Sequence, residues 1–438
     1  MELSLFIQEV YRDFPFYFGT FCLFLVLYYF LFRRLFFNVI DSYLIEFLTS
    51  AGSACTVFIM YLNGALSPKY LNSFVSAEIA LFVGIFIMSR YNGQKIMQQK
   101  AAQYHTDLDT IIESRKPQIL LMYNIAFVLF LVINLLSFYT VGFVLLSDEK
   151  GINHVNAYEG NGFLLLLKLS ITPLFMTIFF VKYKMFNKLL AFDYSAIVLV
   201  LIFTTLSGSK SSFLVLIVTF SCVDFYFSKI RNIPRTRIPV TYILIFVSSI
   251  LVILTAGQFQ KGDDKASYLK VFDRLLFSGD VFLLGYNDRI ANYLQEQVNV
   301  VGYILYPLYG KFLRLFGIDL TPLNIGVALY DFTYGIKTSG SNPRHNYLSY
   351  LFGGEYFSWV YSFFIGLFIG YCRFVYLFKI TLKNIYKTCF GLLIIMESAS
   401  CITDTYLFNA KLFVYVFLIL IIYFVAESYR IVIKNVTR

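Results

Sequence analysis

Long apolar runs separated by short polar segments set the rhythm of this chain. They fall near 14–32, 43–62, 71–89, 118–146, 163–181, 189–206, 212–228, 239–257, 356–378, 388–403 and 411–429. An apolar run of roughly 18 residues or more is long enough to cross the bilayer core as a helix. The pattern therefore predicts an all-α, polytopic membrane protein with about eleven transmembrane helices. The run 118–146 exceeds the roughly 20 residues a span needs and is predicted to tilt or to extend beyond the bilayer. The first run lacks a basic flank and a small-residue cleavage site, so it is predicted to remain as a span. The predicted organisation is 1–257 with eight spans, 258–355 as one large extramembrane segment, and 356–438 with three spans.

Composition agrees with the pattern. Hydrophobic residues make up 58% of the 438 and charged residues only 14%, whereas a soluble domain carries about 25% charged. The six cysteines (22, 55, 222, 372, 389 and 401) lie in or at the ends of apolar runs with no CxxC or Cys/His spacing. They read as small buried hydrophobes, and neither a disulfide framework nor a zinc site is predicted. Net charge is +10, but its distribution points to topology rather than to nucleic acid. Alternate connecting segments hold twenty-one Lys and Arg on one set and five on the other. Cations collect on the cytoplasmic side, which places the amino terminus outside, the carboxyl terminus inside, and segment 258–355 on the outer face. That segment carries nine basic and nine acidic residues.

A connection of this length is functional or disordered, and its aromatic, Leu and Val content speaks against disorder. In SYLKVFDRLLFS, Leu269, Phe272, Leu275 and Leu276 share one helical face. Residues 300–317 are apolar with an interior Pro and Gly and are predicted to lie in or dip into the interface. An ordered, membrane-hugging cap of this kind suits an amphiphilic substrate with its tail in lipid and its head outside.

Near the end of the cap the chain reads SNPRHNYLSYLFGGEYF (341–357), with Arg344, His345 and Asn346 adjacent. Histidine exchanges protons near neutral pH, arginine presents a fork that fits phosphate oxygens, and asparagine orients either or binds a sugar hydroxyl. On a helix beginning near 343, His345 and Ser349 share a face, and Gly353 and Gly354 permit a tight turn into the next span. The plainer reading is a pair of interfacial anchors flanking a span. In FDRLLFSGDVF, Arg274 and Asp280 form a second cluster, alternatively a solvated surface pair of Asp273 with Arg274. Arg289 follows nine residues after Asp280. Lys210, in LSGSKSSF between two spans, either snorkels from a helix end or joins exposed amides in an anion cradle. Lys168, Glu78 and Glu397 are ionisable groups inside spans, which mark functional positions by default and keep a transporter reading open. Walker A, GxSxG, HExxH and an outward-facing metal-binding DxD are all missing from the sequence. Outer-face chemistry must therefore run on a donor other than a nucleotide.

PRHNYLSYLFGGEYF resembles the Arg/His-Asn segment in the large periplasmic loop of the O-antigen polymerase and ligase superfamily. GSKSS resembles the group's Gly-Ser-Arg segment, with Lys210 where arginine is usual. DRLLFSGDVFLLGY is similar to the Arg…Gly-Asp stretch of the repeat-unit (Wzy-type) polymerases. The resemblance implies a GT-C-like, inverting glycosyltransferase of the bacterial inner membrane that needs no metal or other cofactor. It would move a growing glycan from undecaprenyl pyrophosphate to a single lipid-linked repeat unit on the periplasmic face. On this analogy Arg344, Arg274 and Lys210 stabilise the departing pyrophosphate and His345 deprotonates the acceptor hydroxyl. Asn346, Asp280 and Arg289 would contact substrate. Implied partners are both lipid-linked oligosaccharides, membrane lipid, a chain-length regulator and a flippase, with no nucleic acid. The rivals are an O-antigen ligase acting on lipid A–core and a flippase or transporter for lipid-linked oligosaccharide. The Arg-Leu-Leu…Gly-Asp stretch favours the polymerase over the ligase, and the clustering of charge in one loop favours an enzyme over a carrier.

Overall fold

Every described element is a helix or helical turn, with no strand among the described residues. The computed structural model describes residues 3–37, 40–90, 108–143, 158, 161–207, 212–231, 277–314, 316–317, 323–336 and 340–436. In chain order the helices used below are α1 (Leu3–Arg12), α2 (Phe14–Phe32), α3 (Ser42–Leu62), α4 (Pro68–Ser89), α5 (Leu108–Val141), α6 (Gly162–Phe186), α7 (Ala191–Leu206) and α8 (Ser212–Arg231). They continue as α9 (Asp280–Gly285), α10 (Asp288–Gln297), α11 (Val300–Arg314), α12 (Ile325–Tyr334), α13 (His345–Tyr371), α14 (Ile385–Glu397) and α15 (Thr405–Val436).

Among the described residues eight helical stretches, α2 to α6 and those beginning at α13, α14 and α15, are long and apolar enough to cross a membrane. The exposed face of α2 is apolar as well, with Leu23 65%, Val26 57% and Phe30 56% exposed. A helix that is apolar on its outer face as well as its buried one is suited to lipid. The polytopic helical class expected from the sequence is met on these grounds. Of the remaining predicted spans, 189–206 forms α7, whose 16 residues reach only about 24 Å against a bilayer core of about 30 Å. The run 212–228 forms α8, and 239–257 lies outside the described residues. The predicted run 118–146 begins ten residues early as α5, because Leu108 and Ile112 bury an amphipathic first turn.

The helices gather into two compact units. The first draws on Met1–Tyr91, Lys265–Val375 and Glu397–Ala410, the second on Asn92–Asp264, Tyr376–Met396 and Lys411–Arg438. In the second, α5 packs on α6 through Phe175, whose ring meets those of Tyr123 and Phe130 at 5.6 and 5.2 Å. Lys182 is 3% exposed and pairs at 2.5 Å with Asp193, 1% exposed, while Lys184 pairs with Asp224. These cations, counted above as topology signals, are thus also neutralised locally.

In the first unit the organising feature is α13. Its backbone breaks at Gly354, where φ is 64° and ψ −157°, a conformation that glycine adopts without steric cost. A straight helix would hold His345 and Ser362 about 25 Å apart, yet His345 Nδ1 lies 2.7 Å from Ser362 Oγ. The element is therefore a hairpin: a short limb from His345 to Gly353 folds back along a long limb from Glu355 onward. Both limbs run beside α4. The long limb is parallel to it, with Ser76 and Ser358 hydroxyls at 3.2 Å. The short limb is antiparallel, with Asn346 beside Glu78 and Tyr350 beside Tyr70. Close approach of the long limb relies on small residues at every fourth position, Ser358, Ser362, Gly366 and Gly370. A Cβ on Gly366 would stand 2.0 Å from the Leu81 carbonyl oxygen, and one on Gly84 2.6 Å from that of Phe363. Such small-residue seams let membrane helices pack backbone to backbone.

Candidate functional site

The short limb of α13 carries Arg344, His345 and Asn346 at its amino-terminal end. Pro343 holds the preceding residue extended, and Arg344 occupies the N-cap with φ −51° and ψ 154°. The segment 340–344 lies tightly against the first turn of α12, where a Cβ on Gly326 would fall 1.9 Å from the Ser341 carbonyl oxygen. The three side chains are 1%, 0% and 0% exposed. That burial rules out the reading as interfacial anchors, which need their charged ends in water or headgroups.

Their partners come from three helices. Arg344 Nη2 donates to Ser50 Oγ of α3 at 2.6 Å. Asn346 Nδ2 donates to Glu78 Oε1 of α4 at 2.9 Å. His345 Nε2 lies 3.7 Å from the same oxygen. Ser349 Oγ is 2.6 Å from Ser362 Oγ, so the face shared by His345 and Ser349 closes on the long limb. Glu78 sits ten residues along α4 from Pro68, about 15 Å from either end of that helix. The charge of Arg344 reaches Glu46, Glu78 and Asp280. Four atoms in this knot lack a hydrogen-bond partner: Arg344 Nε, His345 Nε2, Asn346 Oδ1 and Glu78 Oε2. Unsatisfied buried polar atoms are few in native proteins. Four on neighbouring side chains, two of them able to donate and two to accept, fit a polar ligand carrying both anionic oxygens and hydroxyls.

Asp280 approaches the same region from α9. The turn before it is stapled to α3: Ser278 Oγ donates to the Thr49 carbonyl at 2.8 Å, and Ser53 Oγ to the Ser278 carbonyl at 2.8 Å. At Gly279 a Cβ would press to 2.7 Å from Thr56 Cβ, so only glycine fits. Asp280 Oδ2 accepts from Tyr330 Oη of α12 at 3.1 Å. Burial pushes its carboxyl up to about 6, against the pull of the Tyr330 hydrogen bond, the Val281 amide and the Arg344 charge. A carboxyl held above its unfolded value near 3.9 adds stability below about pH 4 that is lost as pH rises through about 6. Asp280→Asn is therefore expected to unfold at a higher temperature than the parent at pH 7, with the difference vanishing at pH 4. Thermal melts in detergent at both pH values read this directly.

Arg289 is exposed on α10 with its guanidinium 5.2 Å from the Phe332 ring centroid, apart from the buried knot. Arg274 and Lys210 lie outside the described residues. Glu78 had no partner in sequence; the structure supplies His345 and Asn346. Glu46, bonded by Thr403 Oγ1, and Ser50, Ser362 and Tyr330 were not foreseen. The only local sign was the four-residue spacing of small residues through 358–370. Among the described residues no three His, Cys, Asp or Glu side chains gather as a metal site. Comparison of the chain with family models, curated protein sequences and solved structures finds no match.

Proposed function

We propose that the chain is a polysaccharide polymerase, a metal-independent inverting glycosyltransferase. It transfers a growing glycan from undecaprenyl pyrophosphate to an undecaprenyl-pyrophosphate-linked repeat unit on the periplasmic face of the inner membrane. The observation that carries this reading is the buried Arg344–His345–Asn346 end of the folded-back limb, with its unsatisfied donors and acceptors. In the reaction the acceptor hydroxyl attacks the anomeric carbon of the donor. Its proton passes to His345 as the new C–O bond forms. The bond from the anomeric carbon to the phosphate oxygen breaks, and its electron pair leaves on the diphosphate. Arg344 offers a fixed cation to that developing charge, an arrangement worth far more in a water-poor site than in bulk solvent. A helix amino terminus at the same place adds the positive end of a dipole. On the resemblance, Asn346, Asp280 and Arg289 would contact sugar and Arg274 would add a further diphosphate contact. A chain-length regulator and a flippase would be the working partners.

One observation favours a second reading. Glu78 lies midway along α4 beside His345, and a charge at such depth also suits a carrier of lipid-linked oligosaccharide. The separating experiment is the lipopolysaccharide gel of a strain lacking this chain. A polymerase defect leaves core bearing a single repeat unit. Bare core would instead point to a ligase or a flippase.

A further inference from the structure

We propose that Glu78 is the positioning residue of the proton-accepting histidine, so that Glu78 and His345 work as one unit across α4 and the short limb of α13. This inference rests on the glycosyltransferase reading and adds to it a residue from a different span. The geometry is specific. A single carboxylate oxygen, Glu78 Oε1, accepts from Asn346 Nδ2 at 2.9 Å and faces His345 Nε2 at 3.7 Å. The opposite ring nitrogen, Nδ1, is engaged by Ser362 Oγ at 2.7 Å, and that hydroxyl is held by Ser349 Oγ at 2.6 Å. The imidazole is thus clamped on one edge by the long limb and bordered on the other by a carboxylate, with Nε2 the nitrogen left without a hydrogen bond.

This arrangement gives Glu78 two jobs. Through Asn346 it ties the short limb to α4, which an amide oxygen performs equally well. Through its charge it stabilises the imidazolium formed when His345 takes the acceptor's proton, which an amide does not. A base oriented and charge-balanced by a third group is the general logic of activated hydroxyl nucleophiles. The proton taken from the acceptor rests on His345 beside Glu78, and no redox partner is involved. Glu78 itself need not touch substrate.

The two jobs separate by substitution. The assay uses the full-length protein in detergent with the polyprenyl-diphosphate-linked repeat unit extracted from a strain lacking this chain. Glu78→Gln keeps an oxygen for Asn346 and is expected to melt close to the parent, with kcat lowered by about 10²-fold or more and KM within about twofold. Glu78→Asp, which retains the charge on a shorter arm, is expected to recover roughly tenfold over Gln. Adding His345→Ala to Glu78→Gln should lower activity no further than His345→Ala alone, as for residues that act as a unit. Parent-like kcat in Glu78→Gln, with His345→Ala inactive, overturns the inference and leaves the glycosyltransferase reading standing. Parent-like extension by His345→Ala removes that reading itself. Should Glu78→Gln fail to accumulate, the matched pair Glu78→Asp and Glu78→Asn decides: a higher kcat in Asp than in Asn at similar KM and melting temperature supports the inference, and equal kcat in the two overturns it.

Discussion

Arg344→Ala is expected to lower glycan extension by about 10³-fold or more while the protein still inserts in the membrane. Two physical effects combine. Removing one fixed donor to a developing oxyanion typically lowers turnover by about 10²–10³, and here the donor also carries full charge. The second effect is on the ground state. Arg344 is 1% exposed and is the cation whose charge reaches Glu46, Glu78 and Asp280. Taking away one member of a buried charged group costs about 3–5 kcal/mol when the remaining charge is left uncompensated. A lower melting temperature should therefore accompany the loss of activity. Arg344→Lys restores the charge but not the planar fork that places Nη2 on Ser50 while presenting Nε, so it is expected to recover little. His345→Ala should abolish extension without the same loss of stability. The measurements are the chain-length ladder on a gel, membrane abundance by immunoblot, and thermal melts. Long chains of parental density from both alanine variants would remove the catalytic assignment.

The largest effect on stability is expected from Gly366→Leu. The seam between α4 and the long limb of α13 is a backbone-to-backbone contact, with the position of a Cβ at 366 only 2.0 Å from a main-chain oxygen that cannot rotate away. Overpacking a core costs about 1–3 kcal/mol when side chains can shift; here two helices must separate, so the cost lies at or above the top of that range. Ser362 rides one turn before Gly366 on the same face, so the displacement also pulls it from His345. The variant should accumulate poorly and melt well below the parent in fluorescence-detected size exclusion. Gly19→Ala is the matched control: its Cβ meets nothing within 4 Å, and exchanging glycine for alanine in a helix favours the helix by up to about 1 kcal/mol.

The part of the candidate site that sequence alone makes legible is local. The adjacency of Arg344, His345 and Asn346, the shared face of His345 and Ser349, and the turn at Gly353-Gly354 all follow from neighbouring residues. The predicted span beginning at 356 matches the long limb, yet the helix carrying the site begins at 345 and returns against it. Whether a Gly-Gly pair bends a helix gently or reverses it depends on what the two limbs find to pack against, here the small faces of α4. Arg289, grouped with the site in sequence, stands exposed on α10 with its guanidinium against the Phe332 ring of α12. Glu78, isolated in its own span, gains its partners only from residues nearly 270 positions away.

The helical class and the number of apolar runs were determined by the chain itself. Each helix satisfies its own backbone hydrogen bonds, so its length and greasiness can be read residue by residue. Which charges meet inside the bundle was decided only by tertiary structure. Asp41 with Arg373, Glu46 with Thr403, and Glu78 with His345 and Asn346 are pairs whose members are hundreds of residues apart. No periodicity encodes such a meeting. It arises because a buried polar group finds a partner wherever close helix packing brings one within reach.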